Sequence, residues 1–110
     1  MPRRPQSVRL VTEFEEFMDS LPPDDVRRKW ADDMQQVLAE NMFAGDNVAK
    51  DRIPKYYRDK YGVNALFRYD HPQGYRSTYT IRSVGDGVSV FIFDIMSHKE
   101  YDKRFGYRTS

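Results

Sequence analysis

The chain has 110 residues and no cysteine, with 18 basic and 17 acidic side chains for a net charge of +1. That length supports one domain with a modest core, and the lack of cysteine excludes disulfides and thiolate metal sites. No apolar run approaches the roughly 20 residues a membrane span needs, and the Arg3-Arg4 start has no signal-like apolar region behind it, so a cytoplasmic protein is expected.

The near-neutral total hides a polarity. Residues 12–42 carry nine acidic and three basic side chains, a net of −6, whereas residues 43–82 carry eight basic and four acidic, a net of +4. Either surface charge fluctuates along the chain, or one face is acidic and another basic and suited to a polyanion.

Residues 1–6 hold two prolines, two arginines and no periodicity, and read as a flexible arm. Residues 7–11 form a candidate first strand. Thr12 can then cap a helix, with Glu15 completing a capping box, and Phe14, Phe17, Met18 and Leu21 follow at helical spacing. Pro22 and Pro23 end that helix and stand where a second one starts, with Asp24 and Asp25 at its positive end. Val26, Trp30, Met34, Val37, Leu38 and Met42 continue as one apolar stripe to about Phe43, before Gly45. Aromatic and methionine residues at this spacing pack in a core, so the two helices form a hairpin that covers one face of a sheet.

Residues 46–62, DNVAKDRIPKYYRDKYG, are of another kind. Lys50, Arg52, Lys55, Arg58 and Lys60 are interleaved with Tyr56, Tyr57 and Tyr61, and Pro54 interrupts any long helix. Cations neutralise phosphates and rings stack on bases, so the segment suits a single-stranded nucleic acid. The plainer reading is a solvated loop pinned by its tyrosines. Residues 63–69 then alternate as a strand, 70–74 form a turn, and 75–83 and 88–96 are strands joined through Gly85, Asp86 and Gly87. Three consecutive antiparallel strands result, the last one apolar on both faces and covered by the helices. Ser97 caps a final helix to about Arg104, and Gly106 ends it. The fold class is therefore α+β.

No phosphate loop, zinc-ligand spacing or Ser-His-Asp arrangement is present, and no metal or cofactor is implied. What remains is Arg76 and Arg82 on the polar face of one strand, His98 and Tyr101 just beyond the apolar strand, and the basic segment. Such a set can cleave RNA by attack of the 2′-hydroxyl on the neighbouring phosphate, with His98 as base or acid and Arg76 as the cation for the phosphorane. Each residue has a plainer reading. A histidine at a helix start caps or faces solvent, a strand arginine is surface charge, and Tyr101 and Phe105 sit four apart as core residues do. His71 reads as a turn residue. Asp94, inside an apolar strand, requires an arginine or a backbone donor.

Three groups of local strings, in this order, resemble one family. They are Ile53-Pro54-Lys55 with Lys60-Tyr61-Gly62-Val63, Gly74-Tyr75-Arg76 with Tyr79-Thr80-Ile81, and His98-Lys99-Glu100-Tyr101 with Phe105-Gly106-Tyr107. Together they resemble the RelE, YoeB and ParE superfamily of toxins from toxin-antitoxin pairs. The resemblance implies a strand and a helical hairpin ahead of three antiparallel strands, and a cognate antitoxin as partner. It further implies cleavage of mRNA, in many relatives on the ribosome. It places Arg76 at the scissile phosphate and His98 and Tyr101 at the C-terminal catalytic positions. Lys50, Arg52 and Lys55 become the RNA-holding loop, and Arg58, Lys60, Arg82 and Tyr107 are further candidates for the RNA. The His98 to Tyr101 spacing of three leaves Tyr107 as an alternative to Tyr101. Near-neutral charge leaves a second reading open, a ParE-like module that binds a topoisomerase or other protein without cutting RNA, or an inactive relative.

Overall fold

A computed structural model describes residues 3–107. Its centre is a five-stranded sheet in the order β1-β5-β4-β3-β2. The strands are β1 (Ser7–Leu10), β2 (Asp46–Val48), β3 (Leu66–Asp70), β4 (Arg76–Val84) and β5 (Gly87–Ile92), and the helices are α1 (Thr12–Ser20), α2 (Val26–Glu40), α3 (Lys55–Tyr61) and α4 (His98–Phe105). β1 pairs parallel to β5, and the other neighbours are antiparallel. The expected α+β order is present, with β2 and α3 added to it. Among the described residues no helix is long and apolar enough to cross a membrane.

Strand alternation divides the interior into two cores. Val8, Leu10, Phe67, Tyr79, Ile81, Val90 and Ile92 face α1 and α2, where they meet Phe14, Met18, Trp30, Met34 and Leu38. On the opposite face Leu66 and Phe93 pack against Ile53, Tyr57 and Val63, with Tyr61 and Phe105 at the margin. Tyr79 is fully buried and satisfied. Its hydroxyl donates to the Met42 carbonyl at 2.9 Å and accepts from the Gly45 N–H at 3.0 Å. A Cβ at Gly45 would lie 2.5 Å from the Arg68 carbonyl oxygen, so the α2–β2 connection passes this ring only as glycine.

Several expectations are corrected. Thr12 is not a cap. Val11 is the N-cap and makes no side-chain bond, because its N–H extends the parallel ladder to the Ile92 carbonyl at 3.0 Å and holds the residue extended. Pro54 does not keep residues 46–62 as a loop. It stands at the N-cap of α3, where a missing N–H costs nothing, and Gly62 in the left-handed region ends the helix. The second helix begins at Val26, capped by Asp25, whose carboxylate is held at about 2 by hydrogen bonds from the Arg27 side chain and backbone. Residues 1 and 2 of the expected arm lie outside the described residues. The part from Arg3 is tied down, since Met42 N–H donates to the Arg3 carbonyl at 2.8 Å and Gln6 N–H to the Val88 carbonyl at 2.7 Å.

The last strand also ends earlier than its apolar run. After the pair Tyr79–Ile92, the next opposed pair is Arg76–Met96, so four steps on one strand face three on the other. This bulge turns the Asp94 carboxylate onto the ladder position that it disrupts. There Asp94 accepts from Thr78 N–H at 3.1 Å, Thr78 Oγ1 at 2.9 Å, the Tyr57 hydroxyl at 2.5 Å and Arg104 Nη1 at 3.1 Å. The charge in the apolar strand thus has both the arginine and the backbone donor that it requires.

Candidate functional site

The antiparallel register of β3 and β4 sets Asp70 opposite Arg76 and Arg68 opposite Thr78, so Arg68, Asp70 and Arg76 share the sheet face turned away from α1 and α2. Arg68 Nε lies 3.0 Å from Asp70 Oδ1, off the line that a hydrogen bond needs, and Arg76 Nε lies 3.6 Å from the same oxygen. Arg68 Nη2 reaches Asp46 of β2 at 3.0 Å. Two guanidinium groups are therefore gathered around one shared carboxylate, each still partly exposed.

α4 closes this cluster from above. The Arg76 guanidinium carbon sits 4.7 Å from the centre of the Tyr101 ring, a cation–π contact that fixes its plane. Tyr101 is itself buried and stacks on Phe105 at 4.1 Å. Burial pushes its phenol above the ordinary value, and the Arg68 guanidinium beside the hydroxyl pulls it back down. Tyr101 therefore supports the arginines from within the fold.

His98 occupies the first turn of α4. Ser97 and Glu100 form a reciprocal capping box at 3.2 and 2.8 Å, which fixes the start of the helix. His98 Nε2 lies 3.1 Å from Asp102 Oδ2, one helical turn on, while the imidazole stays 59% exposed. Met96, two residues before it, pairs with Arg76, and a Cβ placed at Gly74 would meet His98 Cβ at 3.5 Å. The imidazole and the two arginines thus share one end of the sheet. The Asp94–Arg104 bond and the Tyr57 contact hold α4 in that place.

The remaining RNA candidates are dispersed. Arg52 lies over the Tyr107 ring at 5.3 Å, beside Phe105 and so adjoining the cluster. Lys50 gives its carbonyl to Arg58, and Lys55 is 3.8 Å from Asp59. Lys60 pairs with Glu13 and lies over Tyr56. Arg82, at the far end of β4, donates to the Tyr61 carbonyl. Among the tyrosines of this segment, Tyr57 is buried and Tyr56 exposed.

Sequence reasoning missed Arg68, Asp70 and Asp102. The four-residue spacing from His98 to Asp102 on a helix was a usable signal, and so was the alternation that places Arg68 beside Arg76 once the two strands are paired. His71 is buried, contrary to a turn residue's exposure. Its Nε2 is 2.7 Å from Ser77 Oγ and its ring lies parallel to Trp30 at 6.3 Å. Burial pushes it down to about 4. Comparison of the chain with protein-family models, with curated proteins and with solved structures finds no match.

Proposed function

We propose that the chain is a toxin of the RelE type that cleaves mRNA in the cytoplasm by 2′-hydroxyl attack, held in check by a cognate antitoxin. The observation that carries this reading is the convergence of Arg68 and Arg76 over Tyr101 at the sheet end where α4 presents an exposed His98 backed by Asp102. A phosphate entering between the guanidinium groups displaces Asp70. Charge-assisted bonds from both arginines then stabilise the phosphorane. His98 takes the proton of the 2′-hydroxyl or gives one to the leaving 5′-oxygen, with solvent water serving the other oxygen, and Asp102 orients the imidazole. Tyr101 acts by holding Arg76. Arg52 and Tyr107 are placed to take the adjoining nucleotide.

The paired state of Lys55 and Lys60 favours the alternative of a protein-binding, non-cleaving module. Expression without an antitoxin separates the two. The proposed reading expects growth arrest with new mRNA 5′ ends, relieved by combined Arg76→Ala and His98→Ala. Arrest that persists in that double variant, with mRNA intact and supercoiling inhibited, supports the binding module.

A further inference from the structure

A second part of the same sheet face lies beyond α3, at the β1–β5 edge. The register sets Arg9, Phe91 and Thr80 side by side across β1, β5 and β4, and Ser7, Ser89 and Arg82 in the row next to it. Arg9 and Arg82 are exposed and Phe91 is partly exposed. Beside the Phe91 ring is a cleft of about 100 Å³, bordered by Tyr61, Arg82 and Phe93. Tyr61 and Phe93 stack at 4.3 Å to make its wall, and Arg82 is fixed there through the Tyr61 carbonyl.

We propose that this surface is a stacking platform for single-stranded RNA, with Phe91 taking a base and Arg9 and Arg82 the flanking phosphates. The inference extends the nuclease reading, because it supplies a route for the substrate outside the cleaving cluster. A ring between two guanidinium groups matches the repeat of base and phosphate, and none of the six residues in the two rows is acidic. Along β4 from Arg76, Arg82 lies six residues or roughly 20 Å away, and Phe91, opposite Thr80, four residues or roughly 13 Å. The platform therefore engages a different nucleotide of the same strand. A peptide adding to the β1 edge would use main-chain bonds and leave the ring idle.

The test uses the full chain and a short fluorescent 2′-O-methyl oligouridylate, which cannot undergo 2′-hydroxyl attack, followed by anisotropy. Phe91→Leu is expected to weaken binding about fivefold or more. Arg9→Ala is expected to lower the salt slope by about 0.7. Both variants are expected to melt as the wild type does. Duplex RNA and polyglutamate should compete poorly. Wild-type affinity in both variants, or equal binding of duplex or polyglutamate, overturns the platform. A chain that cuts no RNA yet loses affinity through Phe91→Leu keeps the platform and refutes the nuclease. A chain that cuts RNA with both variants unaffected refutes the platform alone.

Discussion

Asp70 is the carboxylate shared by Arg68 and Arg76, and on the proposed reading a substrate phosphate takes its place. Asp70 is more than half exposed, so its ion pairs stabilise the fold by only about 0–1 kcal/mol. Asp70→Asn is therefore expected to leave the unfolding midpoint nearly unchanged while raising oligonucleotide affinity severalfold, as read by anisotropy. An affinity that falls would show that Asp70 orders the arginines more than it competes for them. His71 gives the second residue-scale prediction. Its folded value of about 4 lies below the ordinary 6.5, so protonation favours the unfolded chain. Its contribution is complete above pH 6.5 and is lost as pH falls toward 4. The loss is about 2–3 kcal/mol by pH 4.5. Denaturant unfolding of His71→Gln at pH 7 and pH 4.5 should show a smaller loss between the two than the wild type shows. At this scale the sequence offered Arg76, on the polar face of its strand, and His98, just beyond the apolar run. It concealed Arg68, whose relevance depends on a strand register that only the folded turn at residues 70–74 defines.

Among the elements, α4 carries His98, Tyr101 and Asp102, and its position depends on a bulge. The extra residue in the β5 run turns Asp94 to Thr78, Tyr57 and Arg104, joining β4, α3 and α4 through one carboxylate. Burial pushes the Asp94 carboxyl above the usual range, while Tyr57, Thr78 and Arg104 pull it back. Asp94→Ala leaves four donors from three residues without their acceptor and is expected to cost about 3 kcal/mol in denaturant unfolding. Asp94→Asn, which retains part of the set, should cost less. Equal and small losses would mean that α4 is held by Tyr101 and Phe105 alone. The helices with strong apolar stripes and the Ser97 and Gly106 caps were legible, since each is a local signal. β2 was not, because three residues, Asp46–Val48, cannot display an alternation. α3 was hidden by Pro54, a residue that interrupts a helix from within but precedes one at no cost.

For the whole molecule, the sheet separates two kinds of surface. Acidic residues outnumber basic ones on α1 and α2, with Glu13 reaching across to Lys60 of α3, while Arg9, Arg68, Arg76 and Arg82 lie on the sheet face turned away from these helices, which gives a nearly neutral chain a directional field. Oligonucleotide binding should accordingly weaken with added salt, with a log-log slope of about −0.7 for each phosphate engaged. A salt-independent affinity would contradict contact through that face. The charge polarity was visible in the sequence, yet which strands bring the cations together was not, because Lys55 and Lys60 turn to Asp59 and Glu13 instead.

The most direct measurement is the chemistry of the cut. Purified chain, added to a translating extract, should leave mRNA fragments with 5′-hydroxyl and 2′,3′-cyclic phosphate ends. Cleavage should fall about a hundredfold or more in Arg76→Ala and in His98→Ala. Fragments with 5′-phosphate ends, or full cleavage by both variants, would contradict the account.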